Sequence, residues 1–282
     1  MMGRGRRRWA KAGWVLALVC AGGCATVPYQ HGVTRIDPRL ERQTPPEPQI
    51  MRGRPCKWLD RSDWIWPGSW LGKLVLWDRR VDNHQIGEET EEVMRRYLEA
   101  NELDFVKVRL NAYDVRDEWR RLVANKSVGA GWRYTLGVVT WLQYTLLPGR
   151  FFGGDHYNPY SNSINLYSDI PAIAVHEGGH AKDFANRKWK GTYAAIYILP
   201  LVNLYHEAIA TSDALGYLLE EEAVALQKEG YQILYPAYGT YLGGGFGQTL
   251  PIWDIWLYSA GGVGGHIVVR GQAARLSDDS FE

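Results

Sequence analysis

Two histidines four residues apart, with a glutamate directly after the first, are the side chains in this sequence best suited to chemistry. His176, Glu177 and His180 form the pattern H-E-x-x-H. On a helix, residues four apart lie one turn above each other, so both imidazoles can reach one ion. Glu177, beside the first imidazole, can accept a proton from water at that ion. The spacing therefore predicts a zinc (Zn²⁺) site with His176 and His180 as ligands and Glu177 as the catalytic base.

The surroundings of this pattern favour a buried helix. The apolar segment 170–175 precedes the first histidine, and the strand-like segment 163–167 lies just before it. Gly178 and Gly179 each cost about 1 kcal/mol of helix stability relative to alanine. Residues this small permit close approach by a neighbouring helix or a substrate. The alternative is a surface helix with two incidental histidines, but a surface helix would not carry such an apolar segment.

A third ligand is expected, because catalytic zinc usually has three protein ligands and an open fourth position. The predicted helix 203–215 offers two candidates, His206 and Glu207. Here the chain resembles the gluzincins, the thermolysin-like metallopeptidases, in which a glutamate on a second helix, some twenty or more residues later, completes the H-E-x-x-H site. Glu207 follows His180 by 27 residues. The resemblance covers residues 163–219, about a fifth of the chain, and implies Glu207 as the third ligand, a zincin-like fold and hydrolysis of a peptide or protein substrate.

The chain departs from the gluzincin pattern four residues after Glu207. Gluzincins commonly have an Asp there that hydrogen-bonds a zinc histidine, whereas this chain has Thr211. Since zinc histidines normally have such support, we consider Asp183, three residues after His180, and Asp213, six residues after Glu207, as candidates for it.

Two other features of the site stay open or are excluded. The metzincin pattern is excluded, because Asp183 and Asn186 stand where its glycine and third histidine would be. A donor to the transition-state oxyanion is expected besides zinc. Spacing does not choose among four candidates, which are Tyr157, Tyr205, Tyr235 and His266.

The amino terminus has the pattern of a bacterial lipoprotein signal over residues 1–23. A basic stretch precedes an apolar run that is too short to span a bilayer, and Ala21-Gly22-Gly23-Cys24 resembles a lipobox. This predicts cleavage before Cys24, lipid on that cysteine and a location in the cell envelope, facing the periplasm or the exterior. The alternative is an ordinary secretory signal with an incidental cysteine. Residues 24–56 are rich in proline and are predicted to be a tether, which leaves 57–282 as the folded domain.

Composition excludes some classes of protein. Hydrophobic residues make up 46% of the 282 and charged residues 22%, which excludes wholesale disorder. Five of the 32 Lys and Arg residues lie in 1–23 and none of the 31 Asp and Glu residues do, so the remainder is slightly acidic and does not favour nucleic-acid binding. Cys56 is the single cysteine after Cys24, so no intrachain disulfide framework is expected.

The predicted fold is α+β and zincin-like, with a small sheet, an active-site helix beneath it and a mostly helical second half. Strands are predicted at 72–77, 104–110 and 163–167, and helices at 88–101, 114–125, 132–147 and from Ile170 onward. The strand at 163–167 is either a sheet edge that binds peptide or a core strand. Gly239, Gly243 and Gly247, four residues apart, predict close helix packing inside the domain or contact with the bilayer surface, rather than a membrane span.

Three functions follow from these patterns. The first is a membrane-anchored zinc peptidase. The second is a non-catalytic metal-binding envelope lipoprotein with a scaffold or interaction role, and the third is a metal-dependent amidase acting on cell-wall peptide bonds. The intact Glu177 favours an enzyme, because a structural zinc site does not need a base and usually has four protein ligands, often cysteines.

Overall fold

A four-stranded mixed sheet and a larger set of helices make up the described part of the chain, so the fold is α+β, as predicted. The structure, a computed structural model, describes residues 29–34, 37–41, 45–54, 56–60, 67–147, 149, 154–197, 199, 202–221, 223–247 and 254–278. The predicted signal and the lipidation residue Cys24 lie outside these ranges.

The helices occupy most of the described residues. They are α1 (Pro38–Glu41), α2 (Lys57–Asp60), α3 (Pro67–Leu76), α4 (Glu88–Ala100), α5 (Val115–Ala124), α6 (Ala130–Arg133), α7 (Leu136–Leu146), α8 (Pro171–Ala185), α9 (Lys190–Ile196), α10 (Val202–Glu220), α11 (Val224–Gly247) and α12 (Asp254–Asp278). Helices α4, α5 and α8 begin within one residue of their predicted starts. Asp114 caps α5 as predicted, since its side chain accepts a hydrogen bond from the backbone N–H of Asp117.

The sheet combines two parallel pairings with one antiparallel pairing. Its strands are β1 (Ile50–Arg52), β2 (Lys107–Leu110), β3 (His156–Asn158) and β4 (Ser163–Leu166), in the spatial order β1-β2-β4-β3. Strands β1 and β4 both run parallel to β2, and β3 runs antiparallel to β4. The interpretation of 163–167 as a sheet edge is therefore wrong, because β4 is an interior strand. Strand β3 forms the edge.

The prediction of a tether over residues 24–56 is wrong for part of that range. Strand β1 lies inside it and pairs with β2 in the register Met51 to Arg109. Further upstream, Tyr29 donates a hydrogen bond to Asn101, and Lys182 of α8 lies over the Tyr29 ring. Proline content does not prevent pairing here, because Ile50–Arg52 contains no proline and can use its backbone donors and acceptors in the ladder.

The principal core lies between one face of the sheet and the helices α4 and α8. Val108 and Ile164, which are in register on β2 and β4, are fully buried there together with Val175 of α8. The opposite face is covered by α5, where the buried Arg109 pairs with Glu118 at 2.6 Å. Apolar packing therefore holds α8 against one face of the sheet, while α5 covers the other face.

Glycines allow α8 to approach its other neighbours closely. A Cβ atom on Gly178 would lie 2.4 Å from the ring of Tyr97 on α4, and one on Gly179 would lie 2.9 Å from the carbonyl oxygen of Ala210 on α10. The predicted close approach of a neighbouring helix is thus confirmed. Without side chains at these two positions, α8 packs against the backbone of α10 on one side and against the Tyr97 ring of α4 on the other.

The last two helices also pack at backbone distance. A Cβ on Gly239 would lie 2.1 Å from the carbonyl oxygen of Gly261, and one on Gly243 would lie 1.9 Å from that of Leu257. The close helix packing predicted from the glycine spacing is confirmed at these two positions of α11. In the described ranges, no helix combines the length and the apolar character needed to cross a membrane.

Two sequence-based predictions for helices and strands are wrong. Residues 72–77 were predicted as a strand, but Gly72 to Leu76 belong to α3. The segment 132–147, predicted as one buried helix, is divided between α6 and α7, and it exposes Val139 and Leu146. A short apolar run does not distinguish a strand from a helix, and the partners that cover it decide its burial.

Candidate metal centre

Two helices bring the three predicted ligands together. Helix α8 carries His176 and His180 one turn apart, and α10, which packs directly against α8, carries Glu207. All three side chains are buried, and their possible ligand atoms lie within 4.8 Å of one another. The structure thus shows a buried group of two imidazoles and a carboxylate that could hold a metal ion.

The distances between the ligand atoms fit a small divalent ion. Oε2 of Glu207 lies 3.1 Å from Nε2 of His176 and 3.5 Å from Nε2 of His180. In tetrahedral zinc coordination with bonds of 2.0–2.2 Å, neighbouring ligand atoms are about 3.3 Å apart. The two observed distances lie on either side of that value, so Oε2 of Glu207 is placed to share one ion with either imidazole.

Glu177 lies in the same buried region with an altered proton affinity. Burial raises the pKa of Glu177 to about 8; His176 opposes the increase, and the carboxylates of Glu207 and Asp155 add to it. A hydrogen bond from the backbone of Tyr157, on the edge strand β3, also favours the ionised form. Burial therefore favours the protonated form of this carboxyl group, and a cation held by the neighbouring ligands would favour the ionised form.

Glu207 is held from its other side by a tyrosine that the sequence did not single out. The hydroxyl of Tyr197, which directly follows α9, donates a hydrogen bond to Oε1 of Glu207, while Oε2 faces the two histidines. Burial disfavours the charged carboxylate, yet the interactions with His180 and His176 lower the pKa of Glu207 below its usual range. Glu207 is therefore ionised and oriented for a cation.

His206, the rival third ligand, lies on a different side of α10. Its ring is fully buried and packs 4.1 Å from the ring centroid of Tyr193, and also against Phe184 and Tyr197. Neither ring nitrogen has a hydrogen-bond partner in the part of the chain that the structure describes. The cluster of possible ligands contains Glu207 and not His206, which agrees with the choice of Glu207.

The two aspartates predicted to support the zinc histidines have other partners. Asp183 accepts hydrogen bonds from Arg187 and from the hydroxyl of Tyr193. Asp213 pairs with Lys182 at 2.7 Å and accepts a hydrogen bond from Tyr97. In the described part of the chain neither aspartate hydrogen-bonds His176 or His180, because spacing along one helix does not determine which residue of another helix faces an aspartate.

Thr211 lies where those aspartates were expected. Its Oγ1 is 3.5 Å from Nδ1 of His176, the ring nitrogen that does not face Glu207. Thr211 is buried and follows Glu207 by one turn of α10. The four-residue spacing from Glu207 is the signal in the sequence that places Thr211 on the same face of α10 as Glu207.

The candidates for an oxyanion donor are mostly occupied elsewhere. The Tyr157 hydroxyl donates to Asn162, and His266 lies 2.7 Å from the carbonyl oxygen of Val75. Tyr235 packs against the main core beside Tyr231, and Tyr205 is largely exposed. Neither tyrosine belongs to the cluster of possible ligands. The spacing had favoured none of the four.

Tyr241 of α11, by contrast, responds to the charges of the site. The charge of Glu207 and burial raise the pKa of its phenol well above the usual value, and the charge of Glu177 adds to this. Because Tyr241 is 39% exposed, the charge of Glu207 rather than burial is the main cause. Helix α11 therefore places a phenol near both carboxylates of the centre, which spacing in the sequence could not have shown.

Comparison with known proteins adds no further constraint. The chain matches none of the protein-family models, curated proteins or solved structures with which it was compared. The chemistry of the centre is therefore inferred from the residues themselves and their geometry.

Proposed function

We propose that this protein is a zinc-dependent peptidase of the gluzincin type, with zinc held by His176, His180 and Glu207. The observation that carries the proposal is the buried ligand cluster with Glu177 beside it. A divalent ion held by these three ligands would polarise a substrate carbonyl and activate water for attack. Two imidazoles and one carboxylate are the ligand set of several zinc peptidases, and they leave a coordination position open for chemistry.

Glu177 would supply the proton transfers. The carboxylate would accept a proton from the attacking water and return it to the departing amine, and the charge of a bound cation would favour its ionised form. The ligand residues need no proton exchange of their own, since Glu207 is ionised and the two Nε2 atoms face the ion position. The zincin-like fold remains part of this proposal.

The edge strand β3 supports a peptide as the substrate. Among the described residues β3 pairs only with β4, so backbone groups along its other side that are not bonded to Glu177 can pair with an extended peptide. Tyr157 of this strand hydrogen-bonds Glu177 through its backbone. A peptide added to the sheet at β3 would therefore pass close to the proposed base.

The location at the membrane is also a proposal and depends on the sequence alone. Lipid on Cys24 would anchor the protein in the bacterial cell envelope, facing the periplasm or the exterior. Cys24→Ser is expected to move the protein from the membrane fraction to the soluble fraction of lysed cells. If the distribution does not change, Cys24 is not the anchor.

The experiment that tests the function is metal content and peptide hydrolysis measured on the same samples. The full chain, purified in detergent, is compared with His180→Ala and Glu177→Gln. We expect about one zinc per chain and hydrolysis of casein in the unmodified protein. His180→Ala should lose both properties, whereas Glu177→Gln should keep the zinc and lose activity. The matched control is His31→Ala, which removes a half-exposed histidine that pairs with Glu220 and should change neither property.

The other two functions give different results in this experiment. A non-catalytic metal-binding lipoprotein would hold zinc but cleave neither casein nor cell-wall fragments. A cell-wall amidase would cleave the wall fragments and not casein. If the unmodified chain holds no zinc, or if His180→Ala holds as much, the proposed metal centre is wrong.

A further inference from the structure

One turn of α10 contacts both nitrogens of the same imidazole. Oε2 of Glu207 lies 3.1 Å from Nε2 of His176, and Oγ1 of Thr211 lies 3.5 Å from Nδ1. Residues four apart on a helix share a face, so Glu207 and Thr211 both face α8 at this ring. An imidazole bound in this way cannot rotate without losing one of the two contacts.

Ligating histidines usually donate their second ring N–H to an acceptor, which fixes both the tautomer and the ring plane. The two nearby aspartates do not serve His176, because Asp183 pairs with Arg187 and Asp213 pairs with Lys182. Thr211 is the residue that the structure places at Nδ1.

We propose that Thr211 is a positioning residue for the metal centre. Its hydroxyl oxygen accepts a hydrogen bond from Nδ1–H of His176, so the lone pair of Nε2 is directed at the ion. The inference rests on the proposed function, because it assigns a role in holding the same ion. It adds a residue that the gluzincin resemblance does not supply, since this chain lacks the aspartate at that position.

A second hydroxyl contacts another of the three proposed ligands. Tyr197 donates to Oε1 of Glu207, which leaves Oε2 for the ion. Both hydroxyls are neutral, so the buried negative charge at the ion comes mainly from Glu207 rather than from a carboxylate on His176. A neutral acceptor increases the basicity of an imidazole less than a carboxylate does. Removing the Thr211 hydroxyl should therefore weaken zinc binding by an amount near the lower end of the usual range for losing such a partner.

The test is the zinc dissociation constant of the full chain, measured by competition with a chelator. Thr211→Val has nearly the same shape but no acceptor, and should bind zinc about 10-fold more weakly, the lower end of the 10–100-fold range for losing such a partner. Thr211→Ser keeps the hydroxyl and should restore affinity to within about twofold of the unmodified chain. The absorption spectrum of the Co²⁺-loaded protein should shift in Thr211→Val and return in Thr211→Ser.

The matched control is Thr240→Val. Thr240 is also a buried helical threonine, but its hydroxyl donates to the carbonyl oxygen of Ala237 in its own helix. This variant should bind zinc as the unmodified chain does. Circular dichroism confirms folding in each case, and Thr211→Ala provides a second removal of the hydroxyl if the valine variant does not fold.

The outcomes separate this inference from the proposed function. If the unmodified chain binds zinc and Thr211→Val binds it equally well, the role of Thr211 is wrong and the metal centre stands. If Thr240→Val weakens binding as much as Thr211→Val does, the effect is general packing and the role of Thr211 is also wrong. If the unmodified chain binds no zinc, both proposals fail.

Discussion

Replacing Gly261 by alanine should separate α11 from α12, although alanine is the better helix former. A Cβ on Gly261 would lie 1.9 Å from the carbonyl oxygen of Gly239, well inside the 3.0 Å below which real Cβ contacts are essentially never found. The atom that it meets belongs to the backbone of another helix and cannot rotate away. Gly264 lies three residues further along the same helix, and a Cβ there would meet nothing within 4 Å.

The size of the effect follows from two opposing contributions. Glycine in a helix interior is about 1 kcal/mol less favourable than alanine. Gly264→Ala should therefore raise the free energy of unfolding by up to about 1 kcal/mol. Overpacking costs roughly 1–3 kcal/mol, and a clash with backbone belongs at the upper end, so Gly261→Ala should lower the free energy of unfolding by about 2 kcal/mol.

Urea unfolding followed by circular dichroism measures both variants against the unmodified chain. Thermal unfolding should give the same signs, with a midpoint about 4–8 °C lower for Gly261→Ala and about 2–4 °C higher for Gly264→Ala, at 2–4 °C per kcal/mol for a chain of this size. Equal stabilities of the two variants would show that α11 and α12 are not in backbone contact at Gly261. A stabilised Gly261→Ala would refute the packing outright.

Two further predictions concern buried charges. Burial lowers the pKa of Lys190 to about 8, so the unfolded chain binds more protons than the folded one from pH 8 up to the ordinary lysine pKa. The free energy of unfolding should then rise from pH 8 to pH 10 by about 1 kcal/mol per pH unit. In Lys190→Met, studied by urea unfolding at each pH, this rise should be absent. If the variant keeps the same dependence on pH, Lys190 is not its cause. Lys182 and Asp213 form a buried pair 2.7 Å apart, and Lys182→Met should lower the free energy of unfolding by about 3 kcal/mol because the aspartate loses its cation. A double-mutant cycle with Asp213→Asn should give a coupling free energy of about 2 kcal/mol, and strictly additive effects would show that the pair does not interact.

The sequence was sufficient for features that depend on spacing along one helix. The H-E-x-x-H pattern placed His176 and His180 on one face of α8, and the glycine spacing of α11 predicted a close helix contact. The choice of Glu207 came from the gluzincin resemblance, and the cluster found in the structure agrees with it. These features are local, because a helix brings residues three or four apart together whatever surrounds it.

Features that depend on a partner from a distant segment needed the tertiary structure. The pairing of Ile50–Arg52 with β2, the interior position of β4 and the helical state of Gly72 to Leu76 are all decided by what packs alongside. An isolated short segment has too few interactions of its own to choose between strand and helix, so its neighbours decide.

The same distinction applies within the metal centre. The sequence identifies possible ligands, but the residues proposed to orient them depend on how separate helices pack. Tyr197, just after α9, and Thr211 of α10 reach the ligands only because both helices lie beside α8. Asp183 and Asp213 were chosen by their distance along the chain, and they are instead paired with Arg187 and Lys182. A hydrogen bond forms over about 3 Å in space, and the packing of separate helices, rather than their order in sequence, sets which side chains come that close.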